Sequence, residues 1–297
     1  MSIATLIAAE RLESGAISEA CDRLSNAGLD PAEIIWIEPA LAADIGFSGA
    51  IGAAQAALKP MEAWCDIAVQ SEEHRRKMLL VSDMDSTMIT VECIDELADY
   101  AGIKPEIAAI TERAMAGELD FVEALMARVA LLAGLNETVI AECLRERVRP
   151  MAGAIELVRT MAGWGAHTML LSGGFTSFTN PVAAQIGLIE VHANVLEIAD
   201  GKLTGCLTGA IVDAAAKRSF LEDAIASLGL TTQQALAVGD GANDIPMIAA
   251  AVEGQGLGVG YHPRPALAKT ANFSVRHSDL TALLLAQGVP REHWTTA

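Results

Sequence analysis

Four short apolar runs, each closed by small or acidic residues, constrain this chain more than any other feature. They are Met78–Val81, Thr168–Leu171, Ala235–Val238 and Leu257–Val259. Near-continuous apolarity belongs to strands buried on both faces, as in a parallel sheet. Helical patterns separate the runs. The expectation is an α/β fold, a parallel sheet covered on both sides. Such sheets bind ligands at the carboxyl ends of their strands, so the residues that follow each run are where chemistry is expected.

After the first run comes Asp83-Met84-Asp85, two carboxylates at a strand end. One can attack while the other handles a proton, and either can hold a divalent cation. Alone, such a pair is as readily a solvated turn. After the second run comes Ser172-Gly173-Gly174-Phe175-Thr176. Its glycines let the backbone turn tightly and present N–H groups to an anion, with the Ser172 hydroxyl as a further donor. Lys217 opens a helical pattern behind Ala214-Ala215-Ala216; alone it is an exposed helix lysine. After the third run comes Gly239-Asp240-Gly241-Ala242-Asn243-Asp244, three polar side chains in a glycine-rich turn. Together these supply a nucleophile, an acid/base, a phosphate cradle, a cation and an oxygen-rich metal site. Hard oxygen ligands without a His/Cys cluster favour Mg²⁺ over zinc. Phosphoryl transfer uses all five parts.

The remaining segments divide the chain. Ile89 to Pro150 is a long insertion that reads as helical, and Phe121, Leu125 and Arg128 fall on one stripe of it. A buried lone arginine is costly, so Arg128 needs a partner, and Glu123 or Glu142 would serve structurally. His192 to Gly209 contains Asp200-Gly201 between strand-like runs, a hairpin signal. Residues 1–72 read as a small α+β unit, with strands at 3–8 and 34–37 and a helix at 17–26 ended by Gly28. The charged stretch Ser71–Lys77 marks the boundary, giving a leader of 1–72 and a main domain of 73–297.

Composition narrows the partners. The 297 residues carry a net charge of −18, which argues against nucleic acid and anionic membranes but not against a small anionic substrate. Five scattered cysteines without a CxxC suggest reduced thiols in a cytoplasm. The N-terminus lacks a basic n-region, and no run is long enough to span a bilayer. A cytoplasmic protein without a membrane partner is expected; a homodimer is left open.

The motifs, in this order, resemble those of the haloacid dehalogenase superfamily of aspartate-nucleophile phosphatases, over about residues 78–290. The resemblance implies a Rossmannoid sheet with a helical cap at about 89–150 and a β-hairpin flap at about 192–209. It implies Mg²⁺-dependent hydrolysis of O-phospho-L-serine through an aspartyl-phosphate, the last step of serine biosynthesis. Asp83 is then the nucleophile and Asp85 the acid/base. Asp83, the Asp85 backbone carbonyl and Asp240 hold Mg²⁺. Ser172, Gly173, Lys217 and Asn243 take the phosphate, and Asp244 orients Lys217 or a metal-bound water. Glu92, nine residues after Asp83, takes the ammonium, and Arg128 takes the carboxylate. Phe121 and Met115 wall the pocket. Without the resemblance, Glu92 is equally an acid favoured by a helix N-terminus, and the two apolar residues are plain packing. Two departures stand out: Met126 where an arginine is usual, and His262-Pro263-Arg264-Pro265 where a Lys-Pro step is common. The leader matches only loosely, with a degenerate ACT-like unit as its expectation. The nearest rival is a phosphatase or phosphotransferase for another small phosphomonoester.

Overall fold

Two sheets organise the chain. The computed structural model describes residues 1–115 and 118–296. The first sheet contains β1 (Ser2–Ile7), β2 (Asp30–Glu38), β3 (Ala42–Ser48) and β4 (Asp66–Ser71) in the order β2-β3-β1-β4, every pair antiparallel. With helices α1 (Ser14–Asn26) and α2 (Ile51–Leu58) the connectivity is βαββαβ, the ferredoxin-like arrangement. α1 buries Ile17, Ala20 and Leu24, a stripe at helical spacing, against this sheet. Sequence periodicity locates β1, α1 and β2 but misses β3 and β4. Both carry a buried aspartate, Asp44 and Asp66, that spoils the apolar pattern.

Those aspartates join the leader to the rest of the chain. The Arg75 guanidinium grips Asp44 with two bonds of 2.6 and 2.7 Å and also donates to the Ala286 carbonyl at 3.0 Å. The Asp66 carboxylate accepts the backbone N–H groups of Arg276, His277 and Ser278. The charged stretch 71–77 is therefore not simply a solvated link, since Lys77 too is only 3% exposed.

The second sheet runs β11-β10-β9-β5-β6-β7-β8. Its strands are β5 (Leu79–Ser82), β6 (His167–Phe175), β7 (Glu190–Ala199), β8 (Lys202–Thr208), β9 (Ala235–Gly239), β10 (Leu257–Tyr261) and β11 (Phe273–Val275). All pairs are parallel except β7 with β8. β5 is central, with Val81 opposite Met169 on one side and Ala237 on the other. Alternate residues of β5 enter different cores, which explains its unbroken apolarity. Leu80 packs with α7 (Ala154–Gly163) and α8 (Thr176–Ile186). Leu79 and Val81 pack with α9 (Ala214–Ser227) and α10 (Ile245–Glu253).

Between β5 and α7 the chain builds the helical insertion: α3 (Cys93–Ala101), α4 (Lys104–Met115), α5 (Phe121–Ala130) and α6 (Thr138–Glu146). Its two ends are pinned together where Thr90 N–H donates to Arg149 O at 3.1 Å and Met151 N–H to Met88 O at 2.8 Å. Asp120 and Glu123 form a capping box that starts α5. The turn between β7 and β8 has φ +51° at Asp200 and +72° at Gly201, the paired positive values of a tight hairpin. This hairpin bonds to the insertion through Gly134 N–H to Leu203 O, Leu203 N–H to Leu135 O and Glu137 N–H to Gly201 O. Among the described residues no helix is long and apolar enough to cross a membrane.

Lys77 gives a stability test. Its ammonium donates to the Gln233 carbonyl at 2.8 Å, and burial pulls its pKa down to about 8. A folded value below the unfolded one, about 10.4, means that the charged form opposes folding. That penalty is full below pH about 8 and fades as pH rises toward the unfolded value. Lys77→Met is therefore expected to be roughly 2 kcal/mol more stable than the parent at neutral pH. Urea titrations at rising pH should show the parent closing that gap.

Candidate active site

Asp83 continues β5 by one residue, its N–H bonded to the Val238 carbonyl at 3.0 Å. Its carboxylate is 4% exposed and fully engaged. One oxygen takes the Met84 N–H at 2.7 Å and the Lys217 ammonium at 2.8 Å; the other takes the Asn243 amide at 3.2 Å. The chain then turns sharply. Thr87, Met88 and Ile89 all donate backbone N–H groups to the Met84 carbonyl, and Ser86 sits at φ +55°. The turn sends the two acids apart. Asp83 faces Lys217, and Asp85 faces the insertion, where it accepts the Cys93 N–H at 3.4 Å.

The end of β6 lies across from this turn. The Gly174 N–H donates to Ser172 Oγ at 2.9 Å, and the Asn194 amide donates to the Gly173 carbonyl at 2.9 Å. A Cβ on Gly174 would lie 3.1 Å from Asp85 Oδ2 and 3.0 Å from Ser172 Oγ. Glycine leaves the approach of this loop to Asp85 uncrowded.

Lys217 lies in the first turn of α9, which Asp213 caps through the Ala216 N–H at 2.8 Å. It is 1% exposed and bridges Asp83 and Asp244 at 2.8 Å each. Asp244 is held in turn by the N–H groups of Asp240 and Gly241 at 3.2 Å each. Asp83, Asp240 and Asp244 each offer an oxygen within 4.8 Å of the others.

The electrostatics describe a site short of positive charge. Burial pulls the Lys217 pKa down, but Asp244 and Asp83 outweigh it and the net shift is upward, so the lysine stays an ammonium. One ammonium does not balance three carboxylates. Burial, then Asp83 and Glu92, push Asp240 up to about 6. Burial and Asp83 raise Asp244 against the pull of Lys217. Burial, then Glu92 and Asp83, raise Asp85 well above the usual carboxylate range. A divalent cation among hard oxygen donors answers this imbalance, so the residues fit such an ion.

The insertion closes the far side. Glu92 precedes α3 and accepts the Ser86 hydroxyl at 2.7 Å; burial raises its pKa. Arg128 is half-buried, with its Nε on the Ala124 carbonyl at 3.3 Å. Glu123 is spent on the capping box of α5, and Arg128 forms no ion pair with it or with Glu142 among the described residues. Burial lowers its pKa, while Asp95, Glu92 and Asp85 raise it. The Phe121 ring reaches Gly173, its Cζ 3.2 Å from where a Cβ would stand. Met115 ends α4, and its side chain lies outside the described residues. Two residues here escape sequence reasoning. Arg264 donates its N–H to the Asp240 carbonyl at 3.0 Å and brings its Nε within 4.0 Å of Asp240 Oδ2. Asn194 is a lone amide among mixed residues of β7, a signal readable only once its partners are known.

Comparison with known proteins agrees with this geometry. The sequence profile of the haloacid dehalogenase-like hydrolases matches residues 80–249. A phosphoserine phosphatase of Albidiferax ferrireducens is 46% identical over 211 residues, 69% of this chain and 87% of that protein. A phosphoserine phosphatase of Mycobacterium tuberculosis is 42% identical over 247 residues, 82% of this chain; the chain spans 59% of that protein's length. The crystal structure of a HAD family hydrolase from Salmonella enterica serovar Typhi has a TM-score of 0.83 at 26% identity, covering 96% of this chain and 98% of that one.

The carboxylate cluster sets a pH dependence for cation binding. A cation and protons compete for the same oxygens, so affinity falls as pH drops through the Asp240 value of about 6. Calorimetric titration with Mg²⁺ should give binding roughly tenfold weaker or more at pH 5 than at pH 8. Equal affinity at both would remove the carboxylates from the cation site.

Proposed function

We propose that this chain, which belongs to the haloacid dehalogenase-like hydrolases, hydrolyses O-phospho-L-serine to L-serine and phosphate. One observation carries the chemistry: Asp83 at the end of the central strand, gripped by Lys217 and Asn243, with Asp85 raised two residues away. The substrate follows the phosphoserine phosphatases to which the chain is similar.

Asp83 attacks phosphorus; its bond to phosphorus forms as the bond to the serine oxygen breaks. The bonds to one Asp83 oxygen, from Met84 N–H and Lys217, fix the plane of the carboxylate before the substrate arrives. Asp85, with its raised pKa, delivers its proton to the departing serine oxygen. It then takes a proton from water, which attacks the aspartyl-phosphate and releases phosphate and free Asp83. Ser172, Gly173, Asn243 and the Lys217 ammonium hold the phosphate oxygens, and Asp244 aims Lys217 through their 2.8 Å bond. Asp83, Asp240 and the Asp85 carbonyl would hold Mg²⁺, with Asp244 beside it. When bound, Mg²⁺ neutralises phosphate charge and polarises the phosphorus.

Specificity comes from the insertion. Arg128 takes the substrate carboxylate with a planar fork, and Glu92 takes the ammonium. Among the described residues Arg128 is bonded only through its Nε, to the Ala124 carbonyl, and Asp95 and Glu92 act on it through their charge. Phe121 and Met115 wall the pocket. Residues 1–72 form the leader, and its βαββαβ order supports an ACT-like assignment.

Two variants test the reading. Asp83→Asn should lower turnover by at least about 10⁴-fold and leave no phosphoenzyme in acid-quenched mass spectra. Persistent turnover in that variant would move the nucleophile elsewhere. Arg128→Ala should reduce kcat/KM for phosphoserine by roughly 10²-fold or more, and for p-nitrophenyl phosphate far less. Equal losses, or a parent that prefers a sugar phosphate, would set aside the amino-acid pocket.

A further inference from the structure

We propose that Asn194 is a positioning residue that sets the shape of the phosphate cradle and its distance from Lys217. The inference rests on the phosphatase reading above. Asn194 is 1% exposed on β7, in the run Ala193-Asn194-Val195-Leu196. A buried primary amide is unfavourable unless both ends are bonded. Both are: its Nδ2 donates to the Gly173 carbonyl at 2.9 Å, and its Oδ1 accepts the Val212 N–H at 2.8 Å. Flipping the amide would set carbonyl against carbonyl and N–H against N–H, so only one orientation fits.

The first bond acts on the cradle. The carbonyl of Gly173 and the N–H of Gly174 belong to one peptide group. Asn194 holds the carbonyl end, and Ser172 Oγ accepts the N–H end at 2.9 Å. The peptide is clamped at both ends and cannot rotate. Because Ser172 Oγ already accepts a hydrogen bond there, its own proton is directed away, toward an anion in the cradle. Asn194 thus orients a phosphate donor it does not itself touch.

The second bond acts on the lysine. Val212 is followed by Asp213, which caps α9 through the Ala216 N–H and accepts the Lys217 N–H on its carbonyl at 3.0 Å. Fixing Val212 fixes the start of α9 and the root of Lys217. One side chain therefore ties together two phosphate-binding parts that lie 45 residues apart in sequence (Ser172 to Lys217). Preorganised donors keep their value only while their spacing holds to a fraction of an ångström.

The test uses the full chain with Mg²⁺, and orthophosphate as the probe. Asn194→Asp keeps the volume and the acceptor for Val212 but places a carboxylate against the Gly173 carbonyl. Asn194→Leu removes both bonds. Both variants should bind orthophosphate at least about tenfold more weakly by calorimetry. They should lose kcat/KM equally on phosphoserine and p-nitrophenyl phosphate, because the cradle serves both. A folded Asn194→Asp variant that binds orthophosphate within about twofold of the parent overturns the proposal. Failure of Asn194→Asp to fold overturns it equally, since the residue's work would then be structural. Orthophosphate is the product of any phosphomonoesterase. A parent that binds it but does not turn over phosphoserine would therefore fail the substrate reading alone.

Discussion

The buried ammonium of Lys217 is the interaction on which the rest of the site depends. Asp83 and Asp244 come from different loops, and both are almost entirely out of water. Left alone, two such carboxylates would repel each other or take up protons. Lys217 between them, at 2.8 Å from each, offsets part of that repulsion. Removing one member of a buried ionic group strands the others, so its parts are constrained together. The same charge is what a phosphate dianion needs nearby. One bond network thus holds the acidic loops together and supplies the charge assigned to the phosphate.

The sheet and the insertion divide the work. Every group assigned to the phosphate sits at the carboxyl ends of β5, β6 and β9 or in the first turn of α9, on elements buried in two cores. Those positions are stiff, as transition-state stabilisation requires. The groups assigned to the amino-acid end, Glu92 and Arg128, lie in the inserted helices and their approach. Arg128 lies apart from the phosphate groups, whereas Glu92 also raises Asp85 and Asp240.

How much of this was legible in the sequence follows from where each partner lies. β5, β6, β9 and β10 were readable because both their faces are apolar. The motifs after them were readable because glycine and aspartate cluster where a strand ends. Asn194 was not, because its partners lie 21 residues back and 18 residues on, and nothing local marks them. β3 and β4 were hidden by Asp44 and Asp66. Each of these is received by groups distant in sequence: Arg75 and Thr5 for Asp44, and three backbone amides some 210 residues on for Asp66. Arg128 shows the opposite outcome. Pattern alone offered it local partners, Glu123 among them, but the capping box had already taken that glutamate.

The bonds that join the leader to the main sheet bear on how such a chain can be cut. Asp66 is the acceptor for the amides at 276–278, and Asp44 neutralises Arg75. Ile7, Ala42 and Ala68 of the leader belong to the same core as Leu80 and Phe178. A protein trimmed to its catalytic motifs would expose the Arg75 guanidinium and an apolar face that the leader now covers. The leader thus covers part of the core of the main sheet. A unit exchanged for it would meet the same two features, a guanidinium and an apolar face.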